Sequence, residues 1–356
     1  MLACGVFMVA AVSANRKDPG AGSEERSSGT GGFALYAEAS VPVVQDLDSD
    51  AGRKSWGLDA ALLKETRLVG FRVRDGDDAS CLNLNRAQAP RILGVSVDAL
   101  SKRDAFSFRQ AAPAKDSPSP WELLRQDLGD GILPAVGDYP TVYWGLGRTV
   151  GDEVVYRNRR GVEVRLRIVG MIASSVLQGS LIVSDIAMKR YFPEVEGCRA
   201  WLIDTPADSR DPVAEHLTRR LTNAGLSVET AAGRLAAFGR LENTYLSIFL
   251  VLGGLGLVLG CVGLGLIVVR NLLERQAELA LLRAVGFRRS KLLEMVCLEH
   301  GGLLGAGLSA GLICALVAVA PTLGIASGQV PFGLLATLML ACLLYTSDAA
   351  DDTSEV

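Results

Sequence analysis

Residues 245–269, "YLSIFLVLGGLGLVLGCVGLGLIVV", contain no charged side chain and lead directly into the charged segment 270–291, "RNLLERQAELALLRAVGFRRSK". At 1.5 Å per residue, a helix over the uncharged stretch is long enough to cross the ~30 Å hydrocarbon core of a bilayer. We therefore predict a transmembrane helix at 245–269. Further apolar runs predict a second span at 299–320 and a truncated third span at 331–345.

The composition of the chain indicates two parts with different surroundings. Of the 356 residues, 49% are hydrophobic, which is high for a soluble protein, yet 21% are charged, which is ordinary for one. One part in lipid and another in water would explain both values. The net charge of −3, with no basic stripe interleaved with aromatics, argues against nucleic acid as a partner.

The two ends of the chain are expected to be incomplete. Residues 1–14, "MLACGVFMVAAVSA", predict a truncated transmembrane helix, and a signal peptide is the alternative, although no Lys or Arg precedes the apolar core. Residues 342–356 are expected to be an artefactual tail, because "CLLYTSDAAD" resembles an in-frame translation of a sequencing adapter. The membrane region is accordingly assigned to residues 241–341.

The basic residues of the segment 270–291 predict the orientation of the chain. Short cytoplasmic loops are enriched in Lys and Arg, and this segment carries Arg270, Arg275, Arg283, Arg288, Arg289 and Lys291. It is therefore expected in the cytoplasm. Residues 15–240 would then form a large domain on the outer side.

The outer domain is predicted to be mixed α+β. Val162, Val164, Leu166 and Ile168 alternate with charged residues, which indicates a strand with one buried face, and a hairpin turn is predicted at 158–161. Residues 211–225, "DPVAEHLTRRLTNAG", predict a helix between two strands, with Asp211 as N-cap and Gly225 after its end. We expect a β-α-β unit beside a small barrel-like or meander portion.

Three further expectations concern the same domain. The Gly- and Ser-rich stretch 15–32 predicts a flexible loop. Tyr139, Trp144 and Trp201 are predicted to fill the core. Cys81 and Cys198 are the two cysteines of this domain, and a disulfide between them is one possibility if the domain faces an oxidising compartment.

The segment 270–291 itself has helical periodicity. One broad face holds the apolar residues that we predict to pack against the ends of neighbouring spans: Leu272, Leu273, Ala277, Ala280, Leu281, Ala284 and Val285. Arg270, Glu274 and Glu278 lie on the other face at i, i+4 spacing, and Gly286 is expected to end the helix. A basic stop-transfer loop that only sets topology is the alternative. The paired acids favour a larger role, because orientation requires only Lys and Arg.

Small residues in the first secure span predict close helix packing. Gly256, Gly260 and Gly263 have the spacing that lets helices approach closely in lipid. Whether they pack within one chain or across a dimer of two chains stays open at this point.

No catalytic, cofactor-binding or metal-binding residues are predicted on this chain. The sequence lacks the G-x-x-x-x-G-K-[ST] loop that holds ATP phosphates, and it contains no HExxH or G-x-S-x-G motif. We expect no enzyme active site, so any ATP would be bound by a partner subunit.

The stretches "NTYLSIF" (243–249) and "RNLLERQAELALLRAVGF" (270–287) resemble the C-terminal membrane region of the FtsX-like permease family of bacterial ABC transporters. Upstream, "GGFALYAEAS" (31–40) and "LAAFGRLENTYL" (235–246) are similar to the MacB-related extracytoplasmic domain of its large members. The resemblance covers roughly residues 31–341. It implies an extracytoplasmic α+β domain attached to an α-helical transmembrane bundle.

The resemblance also implies a function and partners. The chain would be a multi-pass subunit in the bacterial plasma (inner) membrane, and it would form a permease dimer and bind a cytoplasmic ABC ATPase. The ATPase would act on a coupling segment formed by Glu274, Arg275, Glu278, Arg283 and Gly286. Motion passed to the outer domain would then export or extract a lipoprotein, a lipid or a small amphiphile. The alternative is a non-transporting scaffold or signalling protein that regulates a periplasmic partner such as a cell-wall hydrolase.

Overall fold

The computed structural model describes residues 2–15, 22–77, 89–113, 119–129 and 131–323. The chain divides into two compact units, one formed by Met1–Lys17 with Glu242–Val356 and the other by Asp18–Leu241. The predicted third span, the predicted tail and Cys81 lie outside the described residues. Each unit is described by itself.

The unit Asp18–Leu241 is a mixed α+β domain. Its strands are β1 (Leu35–Val43), β2 (Arg67–Arg74), β3 (Arg91–Val95), β4 (Phe108–Ala111), β5 (Ile132–Asp138), β6 (Glu153–Arg157), β7 (Glu163–Ile172), β8 (Ser180–Ser184), β9 (Cys198–Asp204) and β10 (Ser227–Thr230). Its helices, numbered after α1 at the start of the chain (Leu2–Asn15), are α2 (Asp50–Ser55), α3 (Val97–Ser101), α4 (Asp185–Tyr191) and α5 (Arg210–Arg220).

The described strands form one sheet in the order β10-β1-β9-β2-β3-β8-β5-β7-β4, with β6 also paired to β7. The pairs β3–β8 and β5–β7 are parallel and the others are antiparallel. The predicted barrel-like portion is therefore not a separate body within the described residues. Its strands continue the sheet that the β-α-β unit begins.

The local sequence patterns predicted two features of this sheet. The β6–β7 hairpin pairs Arg157 with Glu163 across the turn, and Val164, Leu166 and Ile168 are buried. Val162 was predicted on the same buried face but is 55% exposed, because it precedes β7 and belongs to the turn. The predicted β-α-β unit is β9, α5 and β10, but β1 lies between the two strands and pairs with both. No local pattern indicates that a strand from the start of the domain inserts there.

The ends of α5 differ slightly from the prediction. The helix begins at Arg210 with Ser209 before it, so Asp211 lies in the first turn and is not the N-cap. A carboxylate in the first turn still interacts favourably with the helix dipole. A short 3-10 turn, Thr222–Ala224, follows α5, and Gly225 then adopts a φ of +65° as its C-cap.

The prediction of a flexible loop at 15–32 is wrong for residues 22–32, because these residues form successive packed turns. Thr30 is completely buried, and the amide of Val176 donates to the carbonyl of Gly29 at 2.9 Å. Gly31 and Gly32 have φ values of +64° and +70°, which glycine adopts without steric cost. Glycine here permits a tight turn, so its presence does not indicate mobility.

The aromatic residues predicted for the core divide into two groups. Trp201 is buried and packs with the residues between β1, β9 and α5. Trp144 is 72% exposed, so its prediction as a core residue is wrong, and Tyr139 is only partly buried. Cys198 carries a free, half-buried thiol, and burial raises its pKa to about 11.

The other unit consists of apolar helices in its described part. They are α1, the portion of α6 (Ala231–Glu274) from Glu242 onward, α7 (Gln276–Ala284) and α8 (Arg289–Leu323). Two segments are long and apolar enough to cross a membrane, Asn243–Glu274 and Arg289–Ala318. Valines of α1 pack with leucines of α6 and α8 in a small buried cluster: Val6, Val9, Leu257, Leu304 and Leu308.

One buried arginine ties together the loops around α2. The side chain of Arg53 donates to the carbonyls of Leu63 and Thr66 at 2.9 Å each and to that of Leu47 at 3.3 Å. It also pairs with Asp48 at 3.1 Å. Leu47 precedes α2, and Leu63 and Thr66 follow it, so the Arg53 side chain joins the two loops on either side of this helix.

We predict that Arg53→Met lowers the free energy of unfolding by about 3 kcal/mol, because buried carbonyls lose their donors. The measurement is urea unfolding of the full chain in detergent, followed by tryptophan fluorescence. Arg67→Met is the matched control, since Arg67 also pairs with Asp48 but is 75% exposed. It should cost less than about 0.5 kcal/mol. Equal losses for the two variants would contradict the role given to Arg53.

Candidate functional site

The segment between the two long apolar helices is a separate short helix. The helix α6 ends at Glu274, Arg275 leaves helical geometry, and α7 then runs from Gln276 to Ala284. The amide of Arg275 still bonds to the carbonyl of Asn271 at 3.1 Å, and the amide of Leu279 bonds to the carbonyl of Arg275 at 3.0 Å. The result is a nine-residue helix, α7, joined to α6 by a single non-helical residue.

Gly286 ends the short helix as the sequence predicts. Its φ is +105°, a conformation that residues with a side chain rarely adopt. The amide of Phe287 then donates to the carbonyl of Leu282 at 3.1 Å, which satisfies one of the free carbonyls at the helix end. The chain turns here and enters α8 at Arg289.

One face of α7 is turned toward the long helices. Leu279 and Leu282 are half-buried, and they line a cleft with Met295 and Val296 of α8. Arg275 and Glu278 line the same cleft, since positions 275, 278, 279 and 282 repeat at the spacing of one helical face. The other lining residues are Asn271, Leu272 and His300.

The opposite face of α7 is apolar and exposed. It carries Ala277, Ala280, Leu281 and Ala284, followed by Val285 and Phe287. Leu281 is 69% exposed and Val285 73%. We call these six residues the exposed face of α7. Three alanines make its centre flat, so another helix or loop can approach the backbone closely.

The predicted apolar face is therefore only partly correct. Leu272 packs toward the cleft, but Leu273, Leu281 and Val285 are exposed and do not pack against the described ends of α6 and α8. The prediction assumed one continuous helix from 270 to 285. The break at Arg275 resets the helical register, so that Leu279 and Leu282 become the inward residues.

The charged residues of the predicted coupling segment form local pairs. Arg270 bonds to Glu274 at 2.8 Å within the last turn of α6, and Arg275 lies 3.6 Å from Glu278. Arg283 and Arg288 have exposed side chains at the C-terminal end of α7. Cations near the end of a helix are stabilised by its dipole. The four charged coupling residues and Gly286 thus lie on or next to one short helix.

His300 and Asn271 line the cleft but were not predicted as part of the site. One ring nitrogen of His300, Nδ1, lies 3.1 Å from the carbonyl oxygen of Val296, and the other lies 3.5 Å from the Asn271 side chain. The sequence signal was a polar residue in an apolar helix. That signal does not identify the residue that His300 contacts, because Asn271 lies 29 positions away in the sequence.

Two of the three predicted packing glycines have open surroundings within the described chain. A Cβ atom built on Gly256 or Gly263 meets nothing within 4 Å. Close approaches occur instead at Gly5, whose Cβ would lie 2.8 Å from Leu257, and at Gly253, whose Cβ would lie 3.0 Å from Met8. Packing through Gly256, Gly260 and Gly263, within the chain or across a dimer, stays a prediction.

Among the residues that the structure describes, no group of three or more His, Cys, Asp or Glu side chains lies close enough together to hold a metal ion. The α7 segment instead offers exposed apolar and charged side chains. Its chemistry is that of an apolar strip beside arginine side chains, a composition found in the centres of protein interfaces.

No family model and no curated protein match the chain. Among solved structures, the chain is similar to the periplasmic region of MacB from Actinobacillus actinomycetemcomitans, with 7% identity and a TM-score of 0.34 over 56% of this chain and 89% of that one. It is also similar to the extracellular domain of the noncanonic ABC-type transporter YknZ from Gram-positive bacteria. That match has 11% identity and a TM-score of 0.30, and it covers 55% of this chain and 98% of the other.

We predict that Gly286→Val destabilises the end of α7 by about 1–3 kcal/mol, since a β-branched residue is strained at positive φ. Hydrogen exchange of the full chain in detergent should show faster exchange in residues 276–288. Gly256→Val is the matched control, because Gly256 is helical and a Cβ atom there has open space. If α7 kept its protection against exchange in the Gly286→Val variant, the positive φ at this position would not be required to end the helix.

Proposed function

We propose that the chain is the membrane subunit of a bacterial ABC transporter, and that α7 is the coupling helix on which a separate ATPase docks. The observation that carries this proposal is the exposed face of α7. A short helix placed between two long apolar helices has one face in a cleft of its own chain and an equally apolar face turned outward.

The position of α7 follows from the two long helices. Asn243–Glu274 and Arg289–Ala318 have the length and composition of membrane spans. If both cross the bilayer, α7 lies at one membrane surface, and the basic residues around it favour the cytoplasmic side. Residues 18–241 then lie on the opposite side, in the extracytoplasmic space.

The outward face of α7 favours a protein partner. Exposed leucine, valine and phenylalanine beside a flat row of alanines would gain free energy by entering a groove, at about 25 cal/mol per Å² of apolar surface. Arg283 and Arg288 at the helix end could pair with carboxylates at the rim of such a groove. Charges at the rim guide association and orientation more than they add affinity.

The cleft gives α7 a way to transmit force. Leu279 and Leu282 lie against α8, and Arg275 joins α7 to α6 through one non-helical residue. A push on the exposed face would therefore move α6 and α8 together. Within this unit the push would reach the part of α6 from Glu242 to Glu274.

The remaining part of the proposal concerns the transported molecule. By the resemblance of the sequence to FtsX-like permeases, ATP-driven closure of the partner would act mechanically on the outer domain. The resulting movement of the outer domain would export or extract a lipoprotein, a lipid or a small amphiphile. ATP binds the partner, and this chain contributes no nucleotide site in that scheme.

We expect a photocrosslinker in place of Leu281 to capture an ABC ATPase. A benzophenone amino acid at position 281, photolysed in cells that express the full chain from its own locus, should give an adduct whose peptides include a Walker A loop. The same residue at position 282 is the matched control, because Leu282 is adjacent in sequence but faces the cleft. It should give no such adduct.

The result distinguishes docking of an ATPase on α7 from a loop that only sets the orientation of the chain in the membrane. An ATPase adduct at 281 with none at 282 supports docking through the exposed face of α7. Adducts only with lipid, or with proteins that lack a nucleotide-binding loop, would contradict the proposed function. Leu281→Glu provides a second test, since a charge on the exposed face of α7 predicts loss of ATPase co-purification.

A further inference from the structure

The carboxyl group of Asp138 is buried where the sheet ends and an unusual turn begins. Asp138 is the last residue of β5 and is 1% exposed. The chain then forms a six-residue π-helical turn, Pro140–Gly145. Such turns are rare and occur often at functional sites. The amide of Thr141 donates to Asp138 Oδ1 at 3.0 Å, so the carboxyl group holds the start of the turn.

The other carboxyl oxygen has no hydrogen-bond partner among the described residues. Asp138 Oδ2 is completely inaccessible to solvent and is one of the few buried side-chain atoms without a partner. Desolvation by burial raises the pKa of Asp138 to about 7, while hydrogen bonds from Thr141 and Ser175 oppose this rise. A buried carboxylate without a cation is costly, whereas a neutral carboxyl group is tolerated.

No charge on a neighbouring element contributes to the raised pKa. The elements near Asp138 are the 3-10 turn Pro120–Arg125, the strands β4, β7 and β8, and the π-helical turn. Their titratable or charged groups are Glu122, Arg125, Glu163, Arg165, Arg167, Tyr139, Tyr143 and Arg109. Arg125 pairs with Glu122 and Asp98, and Arg167 with Glu153. The opposing hydrogen bonds come from Thr141 and Ser175, which are neutral.

The turn that Asp138 holds carries an exposed aromatic surface. The rings of Tyr139 and Tyr143 are stacked with centroids 5.0 Å apart, and Trp144 meets Tyr143 edge-on at 4.8 Å. The guanidinium of Arg109 lies 3.7 Å from the centre of the Tyr139 ring. Tyrosine, tryptophan and arginine are the residues that contribute most to protein interfaces. Movement of this turn would change the shape of that surface.

We propose that Asp138 is a proton-operated latch, in which the neutral carboxyl group keeps the turn Tyr139–Gly145 closed and loss of the proton favours an open turn. In the open state the carboxylate would reach water, and the bond from Thr141 to Asp138 would break. The bonds that close the turn, Leu146 to Thr141 and Arg148 to Val142, both 2.9 Å long, would break with it.

The direction of the pH effect follows from the two pKa values. In the closed state the pKa of Asp138 is about 7, whereas a solvated aspartate has a pKa of about 4. The closed state is therefore favoured fully below the lower value. The preference for the closed state falls as the pH rises from the lower pKa to the higher one. Above the higher pKa it does not change further. The latch therefore opens progressively as the pH rises from weakly acidic to neutral.

The test is hydrogen exchange of the full chain in detergent between pH 5.5 and 8.5, corrected for the intrinsic exchange rate. The opening equilibrium of residues 139–148 should increase by about tenfold or more over this range. Asp138→Asn, which cannot ionise, should remove the increase. Asp152→Asn is the matched control, because its carboxylate accepts from Thr149 in the next loop and should leave the increase intact.

Two results would overturn the proposal. One is a flat profile in the unmodified chain, which decides the question even if the Asp138 variant does not fold. The other is an unchanged pH dependence in a folded Asp138→Asn variant. The experiment involves no ATPase, so it is independent of the proposed function.

Discussion

A backbone amide in hydrocarbon has no water to bond with, so a chain that crosses a membrane must satisfy its backbone hydrogen bonds internally. If α6 and α8 cross a bilayer as proposed, this constraint limits where they can be interrupted. The interruptions between them fall at Arg275 and around Gly286, on either side of α7. Both places are rich in charged residues, which are expelled from the bilayer centre. The proposed role of α7 depends on these two breaks.

The sheet domain follows a different logic, in which non-local pairing decides the arrangement. The strand β1 pairs with both β9 and β10, so the first strand of the domain lies between two strands from its end. Local structure was predictable where a short pattern determines it, as in the β6–β7 hairpin and α5. The insertion of β1 was not, because strand order depends on contacts between residues far apart in sequence.

The same distinction explains the remaining errors. Gly31 and Gly32 suggested mobility by composition, but they provide the φ values that a packed turn requires. Trp144 suggested a core residue by its size, yet the π-helical turn presents it to solvent. In the candidate site, the sequence predicted a helix that ends at Gly286. Which face of α7 points inward was not predictable, since one non-helical residue at Arg275 changes the register.

The proposed function requires that α6 and α8 cross a membrane, with α7 and the sheet domain on opposite sides. Single cysteines at Arg160 and Ser290, both exposed, would test it in a chain whose native cysteines are replaced. A membrane-impermeant maleimide should label position 160 in intact spheroplasts and position 290 only after permeabilisation. Labelling of both positions from the same side would contradict the account.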